Sequence, residues 1–512
     1  MFLMNYLTSS MLDMRSLIHT LEQLGEPQKE FITACLNEFK GTDKYKEMLK
    51  AQDYYGGKHD ILEKKRYYID RQGVKREDQH LTNSKLIHPY FTKLVNQKVN
   101  YLLAKEFSLQ VDDGNQQALK FRDLCGKYFN KDFMRRLKTI GKHAIINGIA
   151  WVQVYYNEQG KLSFKRIPSE EIIPFWHDAE HTQLDGILRF YTMTEYKRGG
   201  EKEEITKIEY YTNEGVWYYE VRAGKLVIDT SVVTKEQPYT GHFQLQTKDK
   251  DGKDITEQRV WDRIPFVAFK YNEEEISLLR YVKTLIDDYD QRTSNTSDLI
   301  SDVPNAVRVV RGYGGGDKGE FSQNLATYRT IFVDDAQGGV EQLESKADTT
   351  CTEAHLSRLK EDIYETGNGV NIQKDMLSET SGVALKLRYA DLDQDCMSMA
   401  SNFAASLEQL CWFIKVDLLH EIGDIDFDEI ELDILFNADG IINEMDVIQN
   451  CMNSVGIISD ETIIANHPWT TDLDREIERV EQQREEQQEL QDDNVNSGFG
   501  TNNQNNKQSR NQ

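Results

Sequence analysis

The sequence predicts an α+β protein, mostly helical, on three observations. Apolar residues recur at three- and four-residue spacing over long stretches near both ends of the chain. A middle block, from Ile149 to Lys270, is instead aromatic and β-branched, in short runs divided by turns. Only 8 prolines occur in 512 residues, so most elements run uninterrupted. At about 150 residues per domain, this length predicts three or four folding units.

The elements follow in order. Residues 1–25 read as an amphipathic helix rather than a secretory leader, because no basic segment precedes the apolar residues and Asp13 and Arg15 interrupt them. Helices are expected over 28–50 and 84–106, the second carrying Leu86, Ile87, Phe91, Leu94, Val95, Val99 and Leu102. The stretch between, AQDYYGGKHDILEKKR, is turn-rich. Residues 117–148 are helical again, and Gly148 marks a stop. Strands are expected at 149–156, 161–167, 186–196, 204–212, 215–222, 225–229 and 265–270, with turn signals such as NEQG, RGGE and TNEG between several of them.

Helical spacing returns at 273–300, about 42 Å long at 1.5 Å per residue, and ends at Asp302-Val303-Pro304. AVRVVRG and TYRTIFVDD look like strands around a glycine-rich loop. A second helix starts near Thr350, where Thr350-x-x-Glu353 fits a capping box, and stops at Gly367-Asn368-Gly369. A polar stretch, VNIQKDMLSETSG, leads into one very long helix over 383–420. A strand at 431–436 and helices at 443–454, 460–465 and 471–490 follow. The Asn/Gln-rich tail, 491–512, has almost nothing to bury and should be disordered.

Several function classes are excluded or disfavoured. Lys+Arg total 61 and Asp+Glu total 86, a net charge of −25, so the chain does not coat nucleic acid by bulk charge. Six scattered cysteines without a C-x-x-C read as reduced thiols, neither a disulfide framework nor a zinc site. No run of 18 apolar residues is present, so no membrane span is expected. Walker, G-x-S-x-G and H-E-x-x-H motifs are absent. His177-x-x-x-His181 would suit a metal only on a helix; it follows Pro174 and precedes a strand, so a solvated loop is expected. The reading is therefore no enzyme, no catalytic residue, no metal and no cofactor. A metal-dependent nuclease and a monomeric scaffold or adaptor remain as alternatives.

Four stretches carry a resemblance. YYGGKHDIL (54–62) looks like a Tyr-Tyr-x-Gly-x-His-x-Ile signature. NSKLIHPYFTKLVNQKVNYLLAKE (83–106) is similar to a helix with the pattern Val-x-x-Lys-x-x-Tyr-Leu-Leu, departing at Ala104-Lys105-Glu106 where Gly-Lys-Pro is common. RIPSEEIIPFW, GILRFYTMTEY and IEYYTNEGVWYYE resemble one family's wing sheet. NEMDVIQNCMNSVGIISDETIIANHPWTTDLDREIERVEQQREE (443–486) matches the same family's C-terminal pattern. In this order they resemble the portal proteins of tailed bacteriophages, of the siphovirus type with wing, stem, clip and crown.

The resemblance implies a portal-type fold: wing over 1–272 (helices to 148, antiparallel sheet over 149–272), stem helices 273–300 and 349–366, clip 301–348 and tunnel loop 367–382. A long helix with its return to the wing would span 383–440, and the crown 441–490. It also implies a homo-oligomeric, twelve-fold ring at one vertex of the virion capsid, assembled in the host cytoplasm. Such a ring seeds head assembly, docks the terminase, passes double-stranded DNA without reading its sequence and later joins head to tail. Its protein partners would be terminase, major capsid, scaffolding and head-completion or connector proteins, with no membrane. Asn371, Gln373, Lys374 and Ser378 would then face DNA, Lys374 touching phosphates; the plain alternative is a solvated lysine beside Asp375. Arg308, Arg311 and Arg329 would meet the next subunit or the terminase from the clip.

Overall fold

The computed structural model describes residues 27–302, apart from 70–71, 79–81, 113, 197–199 and 249–253, together with 307–311, 339–343, 349–371, 382–421, 430, 432–436, 444–470 and 475–484. The chain forms two compact units, residues 1–372 with 391–439, and residues 373–390 with 440–512. The first 26 residues and the C-terminal tail lie outside the described residues, as does the strand expected around TYRTIFVDD.

In the first unit, the helix expected over 28–50 is two helices, α1 (Pro27–Gly41) and α2 (Asp43–Tyr55). Thr42 between them is extended, at φ −64° and ψ 151°, and its side chain accepts the Tyr45 N–H. A short hairpin follows, β1 (Tyr67–Ile69) with β2 (Lys75–Glu77). The helix expected from residue 84 starts six residues later, as α3 (Tyr90–Leu103). His88 precedes Pro89, whose ring disfavours helical backbone in the residue before it. Phe91, Leu94, Val95, Val99 and Leu102 are buried as their spacing predicts, whereas Leu86 stands in the extended lead-in and is exposed. Strand β3 (Ser108–Gln110) follows. The helix expected over 117–148 is likewise two, α4 (Gln116–Tyr128) and α5 (Lys131–Asn147), because the Asn130 side chain caps the second by accepting the Asp132 and Phe133 amides.

The expected antiparallel region is present but divided. β4 (Ile149–Tyr156) lies between β5 (Leu162–Ile167) and β14 (Phe266–Lys270) in a three-stranded sheet. A larger sheet runs in the order β10 (Lys225–Ile228), β9 (Gly215–Arg222), β8 (Lys202–Thr212), β7 (Leu184–Tyr196), β6 (Ile172–Trp176), with β11 (Tyr239–Thr240) also on β9. β6 holds Pro174 and is the edge strand, where a missing N–H does not interrupt a ladder. β12 (Phe243–Lys248) and β13 (Asp254–Arg259) form a separate hairpin that the sequence reading missed, because Phe243, Leu245 and Ile255 are its few apolar residues in two mostly polar strands.

Helix α1 lays Phe31, Ile32, Cys35 and Leu36 on the larger sheet against Phe175, Leu188 and Phe190. Each such buried side chain contributes roughly 1.5–3 kcal/mol. Beyond the sheets come α6 (Leu278–Asp302), β15 (Val307–Arg311), β16 (Gly339–Leu343) and α7 (Thr349–Thr366), with β15 and β16 antiparallel. Helix α6 starts five residues later than expected, after a turn that contains Glu275. Helix α8 (Gly382–Glu421) has 40 residues, about 60 Å. Its Phe403 and Phe413 meet Phe269 and Trp261 edge-on, at 5.1 and 5.3 Å. β17 (Asp433–Leu435) returns to pair with β3.

In the second unit, α9 (Glu444–Ser454) and α10 (Asp460–Ala465) fall close to the expected bounds, and residues 475–484 are helical. Ser459 caps α10 by accepting the Thr462 N–H, and Arg484 reaches back to Asp460 at 2.5 Å.

Candidate functional site

The chain from α6 to α7 is an out-and-back excursion within the first unit. α6 leads into β15, β15 pairs with β16, and β16 leads into α7, which packs on α6. How this excursion is mounted follows from a row of polar residues on α6. Asp290, Ser294 and Asp298 are spaced by four and share one face. Each accepts a backbone N–H from the extended segment before α3: His88 to Asp290 at 2.9 Å, Leu86 to Ser294 at 2.9 Å, Ser84 to Asp298 at 2.6 Å. The match is metrical. Four helical residues rise about 6 Å and two extended residues about 6.6 Å, so the two periods stay in step over two repeats. The helix thus serves as a hydrogen-bonding partner for alternate backbone amides of the segment before α3.

The row is buried and its charges are paired. Asp290 also takes His59 Nδ1 at 2.6 Å and His88 Nδ1 at 2.8 Å, and Lys64 meets Asp298 at 2.7 Å. Burial pushes the Asp290 carboxyl up, but these hydrogen bonds outweigh it and hold the group below its ordinary value. Upstream on α6, Lys283 bridges Asp60 and Asp287, both at 2.6 Å, and the Tyr54 hydroxyl donates to Asp287. Between the two long helices, His355 of α7 lies 2.9 Å from Asp288 of α6.

The start of α6 is fixed by Glu275, whose side chain is 2% exposed. Lys44 at 2.5 Å, His181 at 2.7 Å and Lys270 at 3.6 Å surround it. Burial raises its carboxyl, yet the His181 hydrogen bond and the Lys44 charge win and pull it down to about 2. His181 is therefore engaged here, while His177 faces Asp185 at 3.1 Å, so the two histidines of the H-x-x-x-H string have separate carboxylate partners. They lie in a loop, as expected, but His181 is stacked on Trp176 and bound to a buried carboxylate rather than solvated.

At the far end of α7 the chain turns through Gly367, Asn368 and Gly369 onto one face of α3, formed by Leu94, Gln97, Lys98 and Tyr101. A Cβ on Gly367 would meet the Ile363 carbonyl and a Leu94 methyl, and one on Gly369 would displace the other Leu94 methyl, so the turn sits close on α3. The Gln97 amide makes two bonds to Val370, accepting its N–H at 3.0 Å and donating to its carbonyl at 3.2 Å. Lys98 Nζ donates to the Asn368 carbonyl at 3.2 Å and meets Asp395 of α8 at 2.6 Å.

Of the residues that the sequence reading assigned to DNA, Asn371 is described: it is half-buried, directly after this anchored turn, and its Oδ1 has no partner among the described residues. Gln373, Lys374 and Ser378 lie outside the described residues, as does Arg329. Arg308 and Arg311 stand on β15, opposite Gln342 and Gly339 of β16. The α6 row, Glu275 and Lys98 were not singled out. A signal existed for Lys98, a charge on a helical face otherwise composed of buried apolar residues; Asp290, Ser294 and Asp298 offered only a spacing of four, common in an acidic chain. Among the described residues, no helix is long and apolar enough to cross a membrane.

The described residues thus show two long helices joined by a strand pair, on an α+β body. Residues 39–490 match the family model described as phage portal protein, SPP1 Gp6-like, and the chain belongs to that family. It is 29% identical to the portal protein of Bacillus phage SPP1 over 479 residues, covering 93% of this chain and 90% of that one. It is 26% identical to the portal protein of Clostridium phage phiCD119 over 446 residues, covering 84% of this chain and 90% of the relative.

Proposed function

We propose that copies of this chain close head to tail into a ring, twelve-fold in the particle, at one vertex of the phage capsid. Double-stranded DNA passes along its axis during packaging and ejection, and translocation energy comes from a separate ATPase, the terminase. The ring also meets the major capsid and scaffolding proteins and later the connector proteins. The excursion from α6 to α7 supports this reading: 278–302 and 349–366 serve as the stem, and the chain between them, with Arg308, Arg311 and Arg329, as the clip. The family match over residues 39–490 disfavours both the nuclease and the free scaffold.

Residues 367–382 form the tunnel loop in this reading, with Asn371, Gln373, Lys374 and Ser378 toward the duplex. A net charge of −25 suits a conduit, because each neutralised phosphate adds salt-sensitive attraction and so friction. Lys374 supplies weak backbone contacts, repeated around the ring. Electron microscopy of the purified protein tests the ring: annuli with an axial hole are expected, and monomers or filaments would refute it. Packaging by Lys374→Ala rings tests the lysine. A changed rate or DNA length that depends on salt is expected; no change at any salt concentration removes Lys374 from the mechanism.

A further inference from the structure

We propose that Lys98 is a positioning residue for DNA passage, setting with Gln97 the register of residues 368–370, at the start of the tunnel loop, against residues 393–395 of α8 beyond its end. The proposal rests on the preceding reading of residues 367–382 as the part that meets DNA.

The geometry is specific. Lys98 is fully buried, in the middle of α3. Its ammonium bonds the start of the loop, at the Asn368 carbonyl, and α8 beyond its end, at Asp395. Tyr101, one turn on, donates to Asp393 at 2.8 Å, two residues from Asp395 on α8. The Tyr271 hydroxyl, just past β14, also donates to Asp395 at 2.9 Å. Gln97 holds Val370 at both backbone groups, as a neighbouring strand would. One face of α3 thus grips residues 368–370 on one side and 393–395 on the other.

An ion pair here makes a different contribution from an apolar contact. A methionine in place of Lys98 would fill much the same space and would tolerate a shifted neighbour. A buried ammonium does not, because a slip of either segment leaves a charge without a partner in a dry interior. Buried ionic groups add little net stability over hydrophobic replacements of similar volume, and fixing register is their best-attested use. Asn368 fits this reading. It holds φ +46°, unusual outside glycine, which turns the chain sharply between α7 and the Val370 contact.

The experiment compares wild-type rings with Lys98→Met/Asp395→Leu and Gln97→Ala rings. Assembly is read by electron microscopy and thermal melting, and packaging by nuclease-protected DNA in heads supplied with terminase and ATP. Wild-type rings that package no DNA would sink the conduit reading itself, independently of the variants. Given wild-type packaging, both variants are expected to form rings, to melt lower than wild type because the Tyr271 hydroxyl or the Val370 backbone loses its partner, and to protect less DNA per assembled ring, by on the order of tenfold. Rings that form and package like wild type overturn the proposal. If the double variant does not fold, Gln97→Ala, which strands no buried charge, decides alone; its losing rings and packaging together would make the face purely architectural and overturn the proposal as well.

Discussion

His181 and Glu275 meet at 2.7 Å, and both hold left-handed backbone, at φ +58° and +55°. Each such residue costs on the order of 1–3 kcal/mol and persists only where its surroundings over-determine it. Here the surroundings are Lys44 from α2, Lys270 from β14 and the Trp176 ring, stacked on His181 at 4.8 Å. Three parts of the body therefore converge on the residue that sets where α6 begins.

This arrangement predicts an acid limb in stability. Glu275 is depressed from 4.5 to about 2, so its contribution is complete above about pH 4.5 and disappears as pH falls toward 2. A shift of that size corresponds to roughly 3 kcal/mol. Glu275→Gln should lower stability at pH 7 and flatten the dependence between pH 4.5 and 2, as urea titrations at a series of pH values will show. An unchanged acid limb would count against the assignment.

Gly148 ends α5 at φ +84°, and a Cβ there would overlap the Glu275 carbonyl. Gly148→Ala is expected to destabilise by about 2 kcal/mol or more, combining left-handed backbone with the displaced carbonyl. Gly160, also at positive φ but with open space around it, is the control: Gly160→Ala should cost about 1 kcal/mol. Equal losses at the two sites would remove the collision from the account.

The row on α6 should be unequal in strength. Ser294→Ala deletes one neutral acceptor and should cost about 1 kcal/mol. Asp290→Ala removes the partner of His59, His88 and a backbone amide, and should cost about 3 kcal/mol or more. Hydrogen exchange at His88 and Leu86 should rise locally in the matching variant, and rates unaltered at those amides would contradict the ladder.

In the larger sheet, Lys207 lies between Glu220 at 2.8 Å and Asp229 at 2.7 Å, all three buried. Lys207→Met leaves two carboxylates without their shared cation and should cost about 3–5 kcal/mol. The triple replacement with apolar residues should recover much of that loss. A Lys207→Met melting temperature equal to wild type would show the trio to be inert.

Much of this fold is legible locally. The strand runs IAWVQVYY and GVWYYEVR match β4 and β9 residue for residue, and Gly148 ends α5 as its position suggested. The misplaced boundaries also had local signals: Thr42 and Asn130 are side-chain caps in the middle of what read as single helices, and Pro89 delays α3. The β12–β13 hairpin had a weaker one, Phe243 and Leu245 alternating with Gln244 and Gln246 over a run too short and too polar beyond them to stand out.

The sequence by itself determined the α+β class, the alternation of helical and strand-rich regions, the acidic balance and, through motifs spread from residue 54 to 486, the portal resemblance that the family match bears out. Those features follow from neighbours within one or two turns, where periodicity and capping act. Only the tertiary structure decided that Asp290 receives His88, that Glu275 gathers Lys44 and His181, and that Lys98 joins Asn368 to Asp395. These partners lie 94 to 297 residues apart. Their pairing is selected by the cost of leaving a buried charge or amide unmatched, a quantity that exists only once the chain has closed around it.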